Sequence, residues 1–290
     1  MPDERFFPNT GFAAPPEEYA SYERARVVVL PVPYDSTTTA RAGARDGPAA
    51  IIAASEDMEL YDVGIGFEPY RWGIHTLSEL VPASGDAGLT IQRIEDVAGE
   101  LLADGKFVVT LGGEHTVAVG PARAQAKRVR DLSVLAIDAH ADLRDSYLDS
   151  SYNHACTLRR ILEVAPVTQV GLRSAEAEEA ALIRERGLRF YPPTAYRKLA
   201  GGPREVVDGL SDHVYITIDL DGIDPSQMAA VGTPEPGGLL WDELVELLAA
   251  VAAERTIVGF DVTELAPDEG PRACAQLAAK LTYRLIGLAL

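Results

Sequence analysis

Leu132-Ser-Val-Leu-Ala-Ile137 runs directly into Asp138-Ala-His-Ala-Asp142. The first part is apolar and lacks polar alternation, the pattern of a strand buried on both faces of a sheet. The second part alternates metal-capable and small apolar residues, so an extended backbone would project Asp138, His140 and Asp142 to one face. Val214-Tyr-Ile-Thr-Ile218 repeats the device by leading into Asp219-Leu-Asp221. Further apolar runs lie at 26–32, 107–111, 166–171 and 256–260, and stretches of helical periodicity at 91–104, 116–128, 155–163, 175–186, 241–254 and 271–286. Strands alternating with helices imply right-handed βαβ crossovers, which predicts a three-layer α/β fold with a mostly parallel central sheet and helices on both faces. No repeat or flexible linker divides the chain, and only the Pro-rich stretch 192–203 resembles a boundary. One domain over 1–290 is expected, with 1–26 as an N-terminal extension.

The polar clusters fall at the carboxyl ends of these strands. Gly112-Gly113-Glu114-His115 follows Leu111, Asp138 to Asp142 follow Ile137, Asp219 and Asp221 follow Ile218, and Asp261 to Glu264 follow Phe260. Open parallel α/β sheets bind their ligands at that edge. His115, Asp138, His140, Asp142, Asp219 and Asp221 form a set of four carboxylates and two imidazoles without a thiolate. Such a set suits Mn²⁺ or a similar first-row ion better than structural zinc. Six donors are too many for one tetrahedral ion, and with bridging carboxylates they fit two ions roughly 3.5–4 Å apart. Four aspartates balance two divalent ions, so the loaded cluster with a hydroxide suits a cationic electrophile.

Other features have plainer readings. An isolated Asp after a strand is usually a cap or turn former, and His75 and His213 read as structural. Gly112-Gly113 fits neither GxxxxGK[ST] nor GxGxxG and reads as a tight turn. Glu176 to Glu179 reads as a solvated first helical turn, and Cys156, Cys274, Trp72 and Trp241 as packing residues.

At 290 residues and 47% hydrophobic, the chain can build a large core without staples. Two cysteines outside any ligand spacing point to a reducing compartment. With no signal-peptide core and no membrane-length apolar run, a soluble cytoplasmic protein is expected. The net charge of −18 argues against nucleic acid and anionic membrane as partners and is compatible with a small cationic substrate.

Together, Gly112-Gly-Glu-His115, Asp138-Ala-His-Ala-Asp142, Asp219-Leu-Asp-Gly-Ile-Asp-Pro225 and Glu264-Leu-Ala-Pro267 resemble the ureohydrolase family of arginase and agmatinase. Gly43-Ala-Arg-Asp-Gly-Pro48 and Gly232-Thr-Pro-Glu-Pro-Gly-Gly238 match family patterns as well, so the resemblance runs from residue 27 to the C-terminus. Tyr152-Asn-His-Ala-Cys156 is similar to the prokaryotic agmatinase branch, which includes enzymes acting on aminopropylagmatine. The chain departs from the pattern in two places: Ala155 follows His154 where arginases and many agmatinases have Gly, and Ser226-Gln-Met228 stands where a Pro is common.

The resemblance implies an arginase-like fold, a hydrolase of C–N bonds in linear amidines with a role in polyamine biosynthesis, and a homo-oligomer, either trimer or hexamer. It also implies two Mn²⁺ per subunit. His115, Asp138, Asp142 and Asp219 would hold one ion, and Asp138, His140, Asp219 and Asp221 the other. A metal-bridging hydroxide would attack the guanidinium carbon. Glu264 would hold the guanidinium by paired hydrogen bonds, Asp142 would pass a proton to the leaving amine, and His154 would be a substrate-binding proton shuttle.

The connection 143–153 lacks the Thr/Ser-rich run with which arginases grip an α-amino acid, and instead offers Asp145, Asp149, Tyr147 and Tyr152 to a distal ammonium. Agmatine, yielding urea and putrescine, is therefore the expected substrate. The alternatives are aminopropylagmatine ureohydrolase, guanidinobutyrase or arginase, then a single-zinc deacetylase on a related fold, and last a non-catalytic metal-binding protein.

Overall fold

The computed structural model describes residues 11–290, and residues 1–10 of the expected N-terminal extension lie outside the described residues. The strands are β1 (Val27–Val32), β2 (Ile74–Thr76), β3 (Phe107–Gly112), β4 (Leu132–Ile137), β5 (Val167–Val170), β6 (Arg189–Tyr191), β7 (His213–Asp219) and β8 (Thr256–Thr263). They form one eight-stranded sheet in the order β2-β1-β3-β8-β7-β4-β5-β6. Every pairing between these strands is parallel.

Alternation along the strands divides the core between the two sheet faces. In β4, Leu135 and Ile137 join the cluster that includes Ile51, Leu244, Leu247 and Leu281, whereas Leu132, Val134 and Ala136 join the one with Ile91, Ile94, Ala122 and Leu158. Helices Gly47–Ser55, Trp241–Glu254 and Ala273–Ala289 thus cover one face, and Ala87–Ala103, Val119–Arg128 and Thr157–Ile161 the other. This is the expected three-layer arrangement, a parallel sheet between two layers of helices.

The helices begin and end where their residues dictate. Asp86 caps Ala87–Ala103 by accepting the Leu89 N–H at 2.8 Å, and Ile91, Ile94, Ala98 and Leu101 then supply a helical-period apolar stripe. Helix Ala177–Arg186 stops at Gly187, whose φ of 62° is left-handed. Within the Pro-rich stretch 192–203, Pro193 opens the short helix Pro193–Tyr196, and Pro203 opens Pro203–Val207. The described part of the N-terminal segment is packed down. Phe12 is buried and its N–H donates to Thr76 at 2.8 Å, while the Ala13 N–H donates to Ser55 at 2.7 Å. No helix among the described residues is long and apolar enough to cross a membrane.

Candidate metal centre and its surroundings

The strands that carry the polar clusters, β3, β8, β7 and β4, are consecutive in the middle of the sheet. Their carboxyl ends therefore meet, and His115, Asp138, His140, Asp142, Asp219, Asp221 and Glu264 converge there. Asp138 to Asp142 do not stay extended, so the shared-face expectation is corrected. β4 ends at Ile137, Asp138 accepts the His140 N–H at 2.6 Å, and Asp142 has a φ of 49°. A turn, not a strand face, brings these side chains together. Non-glycine residues with positive φ are uncommon and gather where function requires strain, and Glu264, with a φ of 67°, is another at this edge.

His115 Nδ1 lies 2.9 Å from Asp142, 3.2 Å from Asp138 and 3.5 Å from Asp219. His140 Nδ1 lies 2.9 Å from Asp221 and 3.9 Å from Asp138. Donor atoms of His115, Asp138 and Asp219 fall within 4.8 Å of one another, and so do those of Asp138, His140 and Asp221. Asp138 is common to both groups, Asp219 belongs to the first, and Asp142 adjoins the first through His115.

The chemistry of this set fits two divalent cations. Asp138 Oδ2 is buried without a hydrogen-bond partner among the described residues. Burial, reinforced by the neighbouring Asp142 charge, raises Asp138 to about 7, and burial with Asp221 and Asp138 raises Asp219 well above the carboxylate range. Burial alone would lower both histidines, but the carboxylates outweigh it, lifting His115 well above its usual value and His140 to about 10. A cation among these carboxylates would reverse the strain, because its charge favours their ionised form.

Behind the cluster lies a layer that residue spacing did not reveal. His115 Nε2 is 2.9 Å from the Thr217 hydroxyl, which donates to Asp261 at 2.8 Å, and the Tyr215 hydroxyl donates to the same carboxylate at 2.7 Å. Asp261 is therefore inside β8 and fully buried, not at the carboxyl edge with Glu264. Burial lifts it to about 6. The half-buried Arg173 guanidinium donates to the carbonyls of Asp221 (2.6 Å) and Glu235 (2.7 Å), fastening the exit of β7 to the 232–238 segment. Gly112-Gly113 serves close approach, not only a turn, since a Cβ on Gly113 would collide with the Tyr34 carbonyl.

Glu264 Oε1 accepts the His115 N–H at 2.7 Å, and burial raises its carboxyl to about 8. His154 Nδ1 stands 3.9 Å from that oxygen, and burial lowers the imidazole below its usual value. A cavity of about 260 Å³ has His140, Asp142, His154, Asp219, Asp221, Thr39 and Tyr147 among its lining residues. It shares Arg144, Glu176 and Glu179 with a second cavity of about 640 Å³.

Of the residues expected to meet a distal ammonium, only Tyr147 lines the inner cavity. Asp145 pairs with Arg160 at 2.6 Å, and the Tyr152 hydroxyl accepts from Arg123 at 3.1 Å, so both serve local structure. Asp149 lies outside that lining. The acidic turn 176–179 is also not merely solvated. Glu179 is buried and accepts the Leu143 N–H and the Glu176 N–H, each at 2.8 Å, tying the cavity-mouth loop to a helix start. His75 Nδ1 is 2.8 Å from the Ala20 carbonyl, in keeping with a structural role.

Comparison with known proteins extends these findings. Residues 25–287 match the arginase family. The chain is 40% identical over 273 residues to an N(1)-aminopropylagmatine ureohydrolase of Thermus thermophilus, covering 94% of this chain and 93% of that one. It is 32% identical over 275 residues to an agmatinase of Bacillus anthracis, covering 91% and 93% respectively. The crystal structure of an agmatine ureohydrolase of Thermoplasma volcanium superposes with a TM-score of 0.88 at 33% identity, covering 98% of this chain and 96% of that one. Because the match takes in all four central strands and the His/Asp cluster at their ends, the chain belongs to the arginase family and is a hydrolase of the ureohydrolase type.

Proposed function

We propose that the chain hydrolyses the guanidinium group of an aminopropylated agmatine, giving urea and a triamine, with His115, Asp138, His140, Asp142, Asp219 and Asp221 holding two Mn²⁺ ions. When bound, the ions supply the Lewis acidity that makes water nucleophilic near neutral pH. Glu264 receives the guanidinium through charge-assisted hydrogen bonds, its carboxylate held in place by the His115 N–H. Asp142 hands a proton to the leaving amine. His154, neutral near pH 7 because burial lowers its pKa, has a nitrogen available to exchange protons with the cavity.

The observation that carries the choice of substrate is the pair of adjoining cavities. A diamine arm needs only the inner one, of about 260 Å³, whereas a triamine arm needs a continuation. The outer cavity offers one, with the carboxylate of Glu178 on its wall and that of Glu176, paired with Arg144, where the two cavities meet. Identity points the same way, at 40% to the aminopropylagmatine ureohydrolase against 32% to the agmatinase. The expectation of agmatine leaned on Asp145 and Asp149, yet Asp145 is engaged by Arg160 and Asp149 does not line the inner cavity. Agmatine remains the second reading, favoured by the likeness to the Thermoplasma volcanium agmatine ureohydrolase.

Urea release from aminopropylagmatine, agmatine and arginine, with a metal count on the same sample, tests the proposal. A kcat/KM for aminopropylagmatine at least about tenfold above that for agmatine is expected. Equal or better turnover of agmatine would assign the chain to the agmatinases instead.

A further inference from the structure

We propose that Thr39 is a positioning residue that holds His154 as its Nε2–H tautomer, with Nδ1 turned toward Glu264. The inference rests on the reading of His154 as a proton-exchanging group. Its ground is a set of hydrogen bonds between two loops far apart in sequence.

The loop after β1 is fixed at two points. Asp35 accepts the Gly43 N–H at 2.8 Å and the Arg45 Nε–H at 2.5 Å, closing the loop on itself. Thr37 donates its N–H at 2.7 Å, and its hydroxyl as well, to the fully buried carboxylate of Glu114. Thr37 in turn receives the other loop: its carbonyl accepts from Asn153 Nδ2 at 3.0 Å, and its hydroxyl oxygen accepts the His154 N–H at 3.2 Å. The backbone of His154 is thereby bolted, through Thr37, to a carboxylate in the core.

Thr39 completes the arrangement from the same loop. Its hydroxyl lies 2.9 Å from His154 Nε2, whereas Nδ1 points toward Glu264 at 3.9 Å, beyond hydrogen-bond reach. The ring nitrogens thus have different neighbours, one a neutral hydroxyl and the other the carboxyl group of Glu264. A proton on Nδ1 would have no acceptor within hydrogen-bond reach among the described residues, whereas a proton on Nε2 has the Thr39 oxygen at 2.9 Å, so the contacts favour the Nε2–H form and leave the Nδ1 lone pair free. Nδ1 can then gain and return a proton while Nε2–H keeps its partner, and the ring does not have to turn during the cycle. A hydrogen bond of this kind to the far nitrogen sets which nitrogen does the chemistry.

The test uses the metal-loaded protein and compares Thr39→Val, Thr39→Ser and His154→Asn. In Thr39→Val, kcat for urea release should fall about 10- to 100-fold, with KM within about twofold of the parent. Thr39→Ser should restore kcat to within about threefold, and long-range ¹H–¹⁵N spectra of His154 should shift away from the Nε2–H pattern only in the valine variant. An unchanged kcat in Thr39→Val alongside a damaged His154→Asn would overturn the role of Thr39 and leave His154 in place. An undamaged His154→Asn would remove the reading of His154 and the proposal with it. Raised KM at constant kcat, or equal losses in the Val and Ser variants with a lowered Tm, would also overturn it.

Discussion

Asp62 and the aspartates at the sheet edge are both buried, and they are compensated in opposite ways. Asp62 is met by Arg284 at 2.8 and 3.0 Å, by Lys280 at 3.3 Å and by the Gly64 N–H at 2.8 Å. Burial would raise its carboxyl, but these partners outweigh it and hold the group below the usual range. Asp138 and Asp219 each accept one backbone N–H, from His140 and Asp221, but among the described residues neither has a Lys or Arg ion pair, only histidines and other carboxylates, and burial raises both. A buried carboxylate with a permanent side-chain cation is part of the scaffold. One without such a partner is poised for a cation from solution, at a cost in stability until that cation binds.

The largest expected effect is at the sheet edge. Asp219→Asn should lower urea release by about 10³-fold or more and deplete bound metal, as read by elemental analysis. The metal-free variant should nonetheless melt no lower than the metal-free parent, because the substitution removes a buried ionisable group whose charged form the metal-free protein disfavours. A clear drop in that Tm would break the contrast with Asp62.

Asp62→Asn should do the reverse. Two cations lose their partner, so a loss of about 2–3 kcal/mol is expected, less than for a wholly buried pair because Lys280 is partly exposed. Turnover should not change. The folded pKa of Asp62 is depressed, so its stabilising contribution is fully present above about pH 4 and is lost as pH falls through the folded value. Urea denaturation should accordingly show the gap between parent and variant shrinking from pH 7 to pH 3. A gap of constant size would mean that the ion pair is not its source.

Asp261 sharpens the comparison, because its side-chain hydrogen-bond partners are hydroxyls and no Lys or Arg among the described residues pairs with it. Tyr215→Phe removes one of its two donors and leaves Thr217. A loss of about 1 kcal/mol in stability is expected, with metal affinity about tenfold weaker because His115 is held less firmly. Unchanged affinity by competition with a chelator would confine this layer to a packing role.

The contrast also explains what the sequence could disclose. The donors were legible because each sits where an apolar run stops, and apolar runs are local. Their partners were not. Asp62 meets Arg284 across 222 residues, and Thr37 meets His154 across 117, so neither pairing leaves a local trace. The acidic turn at 176–179 looked solvated because a buried capping glutamate and an exposed one have the same spacing; only the arrival of Leu143 distinguishes Glu179. Helix Gly47–Ser55 went unmarked because its residues are apolar nearly all round and show no amphipathic period. Strands β2 and β6 span only three residues each at the sheet edges, too short for a recognisable run.

The hydrogen bond from the His115 N–H to Glu264 links residues 149 apart, and the loops between them supply the remaining donors. As the chain leaves the ribosome, β3 and β4 emerge long before β8, yet on the side toward the middle of the sheet they pair with β8 and β7 respectively. No early fragment can assemble the cluster, since strand pairings this distant form only after the intervening chain has been made and ordered. Metal retention therefore reports that synthesis and folding have both reached completion, and a chain truncated before β8 should be identifiable simply by its failure to keep the ion.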